Sequence, residues 1–219
     1  MKFRYTLLIS VIAVAVCCII GLLQKKDYTN YNDIDKPFER FEVGVMTNLL
    51  IDGQIGFFEE NVEDGEEFVV LAVECIEEPV IRYNCATQKV KVIKSFRGGD
   101  DLVGKTVEYE CSKGIDNYSV CETDGEMALG FFNKMIPGKK YLVYINGMIK
   151  DTPYCEDTGL AMRWCFCYDE LPIIPYNVNA MNADAPYTAV KDSEFFVQNE
   201  EIGEKLLQVK KRVLNKYPL

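Results

Sequence analysis

Phe68-Val-Val-Leu-Ala-Val-Glu-Cys75 is the stretch that decides the fold, because it is apolar almost throughout and has the length of a single strand. Val69, Leu71, Val73 and Cys75 recur with the period of two that places side chains on one face of a strand. Lys89-Val-Lys-Val-Ile-Lys-Ser-Phe96 alternates more openly, with valines on one side and lysines on the other. Both stretches predict β-strands.

Three further stretches extend the strand pattern. Residues 105–111 alternate between polar and apolar side chains, and residues 141–145 are continuously apolar, as is typical of a buried strand. Residues 162–168 place Trp164, Phe166 and Tyr168 on one face. Five short strands separated by glycine and proline turns predict a mainly β fold, most simply a five-stranded barrel of the oligonucleotide/oligosaccharide-binding (OB) type.

The last part of the chain, residues 171–219, is predicted as an irregular segment followed by a closing helix. Asn199 is a suitable N-cap residue, and the acidic residues after it suit the positive end of a helix dipole. Apolar side chains recur every three or four residues, at Ile202, Leu206, Val209 and Val213. This amphipathic helix is expected to dock on the domain; the alternative is a helix that binds a partner.

The first 26 residues carry an apolar run from Leu7 to Leu23 that is flanked by basic residues on both sides. A helix of this length covers about 26 Å, close to the ~30 Å hydrocarbon core of a bilayer. We expect an uncleaved transmembrane signal anchor, with a cleaved signal peptide and a lipidated cysteine as alternatives. Each interpretation predicts that most of the chain lies outside the cytoplasm, held at the cell membrane through residues 7–23. Residues 27–67 are predicted as a tether and an irregular lead-in to a barrel at 68–170.

Composition limits the classes of function. The chain has 24 basic and 34 acidic residues, and without the four basic residues of the first 26 the balance is 20 against 34, or −14. So acidic a domain repels phosphate backbones, which argues against a nucleic-acid partner. The chain contains no histidine, which removes the commonest general base and metal ligand. We therefore expect no enzyme activity and no cofactor.

A family resemblance supports the barrel. The segments Phe68–Val73, Val90–Gly99, Gly104–Val107 and Pro137–Tyr144 together resemble netrin-like domains, the group that includes tissue inhibitors of metalloproteinases, in divergent membrane-anchored or secreted bacterial forms. The resemblance covers roughly residues 68–170 and implies an OB-like barrel. Inhibitors of this family chelate the zinc of a target protease through a free N-terminal Cys-x-Cys. Here the Cys-x-Cys is internal, at Cys165-Phe-Cys167.

Seven cysteines lie beyond the apolar run, and in an oxidising compartment such cysteines favour disulfides. Local spacing suggests a bridge from Cys75 to Cys85 or from Cys111 to Cys121, and a bridge from Cys155 to Cys165 or Cys167. Three bridges among seven cysteines allow 105 arrangements, so the connectivity stays open and one thiol is left over. A zinc site made only of thiolates is the alternative, but no Cys-x2-Cys pair is present.

Two other features bear on binding. Trp164, Phe166 and Tyr168 are a candidate ligand face of the barrel, with core packing as the alternative. The acidic run at residues 59–67 lacks the spacing of an EF-hand loop and is predicted as a solvated loop rather than a calcium site. Taken with the anchor, these features predict a membrane-anchored binding module with an extracellular protein partner. The alternative is an inhibitor of an extracellular protease that acts through a loop of the barrel.

Overall fold

The computed structural model describes the backbone of residues 2–24, 36–40, 42–44, 48–82, 85–110, 120–121, 126–127, 131–149, 159–171, 184–197 and 199–219. The chain divides into two units, Met1–Asp35 and Lys36–Leu219. The first unit contains helix α1, Lys2–Gln24. Within it, Tyr5–Leu23 is long and apolar enough to cross a membrane, with a mean hydropathy of 2.9 and none of its surface buried.

The second unit is mainly β, as predicted. Its strands are β1 (Glu42–Gly44), β2 (Val69–Cys75), β3 (Val80–Arg82), β4 (Cys85–Arg97), β5 (Thr106–Glu110), β6 (Val120–Cys121), β7 (Glu126–Met127), β8 (Lys140–Ile149), β9 (Gly159–Cys167) and β10 (Asp184–Pro186). Its helices are α2 (Asn48–Phe57), α3 (Tyr187–Val190) and α4 (Glu200–Lys216), and a π-helical turn, Phe58–Val62, continues α2. Each of the five predicted strand stretches overlaps one of the strands β2, β4, β5, β8 and β9.

These five strands belong to one sheet. Its strand order is β2-β8-β9-β5-β4-β3, and β4 additionally pairs with β2. Neighbouring strands are antiparallel except β5 and β9, which are parallel. The short strands β10, β1, β7 and β6 form a second sheet in that order. Because β2 has β8 on one side and β4 on the other, its backbone groups are satisfied along both edges.

Strand β2 is buried on both faces, which explains its nearly unbroken apolar sequence. Leu71, Val73 and Cys75 face a cluster that contains buried residues of β4, β8 and β9. Val70 faces the other way, into a larger cluster that the sheet shares with α2 and α4. The sheet therefore separates two layers of core.

Helix α2 and its π-helical turn cover the sheet with four buried side chains, Ile51, Ile55, Phe58 and Val62. The structure differs here from the prediction of a tether and irregular lead-in over residues 27–67. Acidic residues at 59–64 hid the helical period, because their charge suggested a loop.

The closing helix α4 agrees with its prediction. The Asn199 side chain accepts a hydrogen bond from the backbone nitrogen of Ile202 at 3.0 Å, which satisfies one of the free donors at the start of the helix. Ile202, Leu206, Val209 and Val213 are buried in the cluster shared with the sheet and α2. Residues 200–216 are thus a docked helix of the folded unit.

Candidate interaction surface

The aromatic residues of the predicted ligand face lie in the core instead. Trp164 and Phe166 are buried, and the Phe58 ring lies 4.4 Å and 5.8 Å from theirs, measured between centroids. Tyr168 is half-buried and donates its hydroxyl proton to the backbone oxygen of Tyr217 at 2.8 Å. The π-helical turn that begins at Phe58, which the sequence pattern does not predict, covers this face of the sheet. These residues therefore pack the domain and are not presented to a ligand.

Three of the predicted disulfide cysteines, Cys75, Cys165 and Cys167, are buried, and Cys75 and Cys167 are free thiols. Burial raises the pKa of the Cys75 thiol to about 12, and burial likewise raises the pKa of Cys167. All three lie in the core cluster beneath the sheet. The free thiols of Cys75 and Cys167 differ from the expected bridges from Cys75 to Cys85 and from Cys155 to Cys167. The other four predicted cysteines, Cys85, Cys111, Cys121 and Cys155, have side chains outside the described part of the chain.

A buried glutamine occupies the same layer as Cys75. Gln88 donates to the backbone oxygen of Met135 at 2.9 Å and accepts from the backbone nitrogen of Met135 at 3.0 Å. It also donates to the backbone oxygen of Glu77 at 3.1 Å. This pairing fixes the segment before β8 against β4 and leaves the amide fully occupied. Among the described residues, no group of three or more His, Cys, Asp or Glu side chains is placed to hold a metal ion.

A buried ion pair joins α4 to Glu194, which lies between α3 and α4 and is hydrogen-bonded to the end of β9. Lys210 and Glu194 are 2.5 Å apart, and their side chains are only 10% and 3% exposed. The other oxygen of Glu194 accepts from the backbone nitrogen of Cys167 at 2.7 Å, while Lys210 also donates to the backbone oxygen of Asp169 at 3.0 Å. Burial raises the pKa of Glu194, and the Lys210 charge opposes that rise. Every hydrogen bond of this pair goes to the domain's own backbone or to its partner, so the pair is structural.

The acidic run after α2 pairs with basic residues of the same unit. Arg212 on α4 donates to both carboxylate oxygens of Glu63 at 3.1 Å and to Glu59 at 2.9 Å. Arg97 donates to the backbone oxygens of Phe68 at 2.8 Å and Glu63 at 3.2 Å. The run that was predicted as a solvated loop is therefore partly neutralised, and it holds α2 against the sheet and α4.

The outer face of α2, defined as Leu49, Leu50, Gly53, Gly56 and Phe57, is the clearest surface available to a partner. Leu49 is 83% exposed, Leu50 53% and Phe57 51%. At both Gly53 and Gly56, a methyl group in place of the α-hydrogen would meet no atom within 4 Å. This face points away from Ile51, Ile55 and Phe58, which fill the core. Helix α2 is thus apolar on both sides.

Comparison with known proteins adds no assignment: no family model matches the chain, and no curated protein matches its sequence.

The sequence pattern did not reveal the surface on α2, because its residues alternate along the chain with the buried ones. A helical wheel over residues 48–58 would have separated the two faces, since residues three and four apart share a side of a helix.

Proposed function

We propose that this chain is a single-pass membrane protein that carries a mainly β binding module outside the cytoplasm. The exposed, uncharged helix Tyr5–Leu23 is the observation that carries the proposal. Such a helix has no core of its own to enter, and its length fits the hydrocarbon layer of a bilayer. The acidic balance of the rest of the chain favours a soluble surface that does not bind nucleic acid.

Binding, rather than catalysis, fits the chemistry of the folded unit. The chain has no histidine. The hydrogen bonds of the buried Gln88 and of the buried pair Lys210–Glu194 connect segments of the fold to one another. Burial raises the pKa of the Cys75 and Cys167 thiols, and a neutral thiol is a poor nucleophile. A barrel of the OB type is the form we propose for the sheet, because β2 pairs with both β8 and β4 and because β5 and β9 are parallel.

Anchoring is tested by extracting isolated membranes with alkaline carbonate. The full chain is expected to stay with the lipid, whereas a variant with Ile12→Lys and Val16→Lys is expected to be released, because each central lysine costs about 2.5–3.5 kcal/mol on insertion scales. The matched control carries Ile12→Leu and Val16→Leu and is expected to stay. Release of the unaltered chain would contradict the proposal.

The binding role is tested by cross-linking and recovering the full chain from the native cell surface. We expect a small, reproducible set of protein partners that is lost when the folded unit is destabilised. The inhibitor alternative is tested separately, by titrating the full chain in detergent against a panel of metalloproteases. Inhibition with one-to-one stoichiometry would favour the inhibitor, and a flat response would remove it for the proteases tested.

A further inference from the structure

Helix α2 has more apolar surface than its own fold uses. Ile51 and Ile55 of α2 are buried in the core, yet Leu49, Leu50 and Phe57 lie open on its outer face. The same face carries Gly53 and Gly56, and glycine is less favourable than alanine inside a helix. No contact within the described part of the unit accounts for these glycines, since the space beside them is empty.

The size of the face distinguishes between occupants. Three partly exposed side chains present on the order of 300 Å² of apolar surface, whereas a stable protein–protein interface buries about 800 Å² on each partner. A second copy of the chain therefore gains too little from this face alone. Insertion into a bilayer requires no minimum buried area, because each apolar side chain enters the lipid independently. The folded unit only needs to be held close to the lipid surface.

The chain itself keeps the folded unit near lipid. Residues 25–35 join the helix Lys2–Gln24 to the unit that begins at Lys36. A chain of that length spans at most roughly 40 Å. Once the anchor is in a bilayer, a surface too weak to bind lipid alone is held at a high effective concentration.

We propose that the outer face of α2 inserts Leu49, Leu50 and Phe57 into the acyl boundary of the same bilayer, as a second membrane contact that orients the folded unit. This inference rests on the proposed anchoring of Tyr5–Leu23. Residues 48–62 contain no lysine or arginine, so the contact is apolar rather than electrostatic. Asp52 and Glu59 are paired with Lys205 and Arg212 on α4, so phosphatidylcholine, which carries no net charge, is a suitable surface for an apolar contact.

Tryptophan quenching by brominated lipid provides the test. Phe57→Trp is introduced into the full chain, which is reconstituted in phosphatidylcholine vesicles with or without bromine on the acyl chains. The native Trp164 is buried, so its emission is subtracted with the unaltered protein. Leu207→Trp is the matched control, because Leu207 is 41% exposed on a different helix. A third variant combines Phe57→Trp with Leu49→Asn and Leu50→Asn, which removes the neighbouring apolar side chains without touching the core.

We expect brominated lipid to lower the added emission of Phe57→Trp about twofold, since an interfacial helix buries its apolar face about 5–10 Å into the headgroup and acyl boundary. Leu207→Trp and the triple variant are expected to show little quenching. Equal quenching at positions 57 and 207, or none at position 57, would overturn the proposed contact. Carbonate extraction of the same vesicles separates the two failures: loss of the protein from lipid contradicts the anchor, whereas retention without quenching contradicts only the role of α2. If the tryptophan at position 57 is shielded from water but brominated lipid does not quench its emission, the face is covered by another protein surface rather than by lipid.

Discussion

The buried pair Lys210–Glu194 gives the sharpest prediction about stability. In the variant Lys210→Met, the Glu194 carboxylate stays 3% exposed and keeps one donor, the backbone nitrogen of Cys167. Removing one partner of a buried ion pair costs about 3–5 kcal/mol, because the remaining charge is left without compensation. For a unit of this size, 1 kcal/mol shifts the melting temperature by about 2–4 °C. We therefore expect a fall of roughly 6–20 °C.

The assay is thermal unfolding of the full chain in non-ionic detergent, followed by near-ultraviolet circular dichroism. Lys205→Met is the matched control, because Lys205 and its partner Asp52 on α2 are 40% and 50% exposed. Such surface pairs contribute about 0–1 kcal/mol, so the control is expected to shift by less than about 4 °C. Equal shifts for the two variants would refute the structural role of the buried pair.

The pH dependence of Lys210→Met provides an independent check. Burial raises the pKa of Glu194 above its ordinary value of 4.5, and the Lys210 charge opposes that rise. Without Lys210, the folded protein binds a proton at Glu194 more tightly than the unfolded chain does. The free energy of unfolding then falls as pH rises above 4.5. The melting temperature of the variant should lie further below that of the unaltered protein at pH 7.5 than at pH 5, and a gap that widens on acidification would contradict this reasoning.

Three further predictions concern the core, the helix cap and the thiols. Phe58→Ala removes the ring that contacts Trp164 and should cost about 3–5 kcal/mol, measured as a loss of thermal stability. Asn199→Ala should cost about 1 kcal/mol, whereas Asn199→Asp, which keeps the accepting oxygen, should be close to neutral in the same assay. Cys75 and Cys167 should escape alkylation at pH 8 in the folded protein and react after unfolding, as counted by intact mass; fast labelling of the folded protein would show that these thiols are not buried.

Periodicity predicted the parts of the fold that depend on local pattern. All five predicted strand stretches overlap strands, and Asn199 caps the helix it was expected to cap. Periodicity failed at α2, where apolar residues occur on both sides and acidic residues follow. The sequence also could not show that Glu63 meets Arg212, because these residues are 149 positions apart and only tertiary packing joins them.

The dependence on tertiary packing also explains why the predicted ligand face was wrong. Trp164 and Phe166 have the alternation of a strand face, but whether that face is open depends on what packs over it, and Phe58 does. A helical wheel separates the two faces of α2, but only the packing of the fold decides that the face with Ile51 and Ile55 is the buried one. Burial of three cysteines also came from the fold rather than from cysteine spacing.

Protease treatment of intact cells tests the central claim most directly. If Tyr5–Leu23 spans the membrane and the folded unit lies outside, added protease should remove residues beyond the anchor from intact cells. A short, carbonate-resistant fragment that contains α1 should remain with the membrane. A chain that resists protease in intact cells and is digested only after the cells are permeabilised would place the folded unit inside, and a chain that leaves the membrane whole would contradict the anchor.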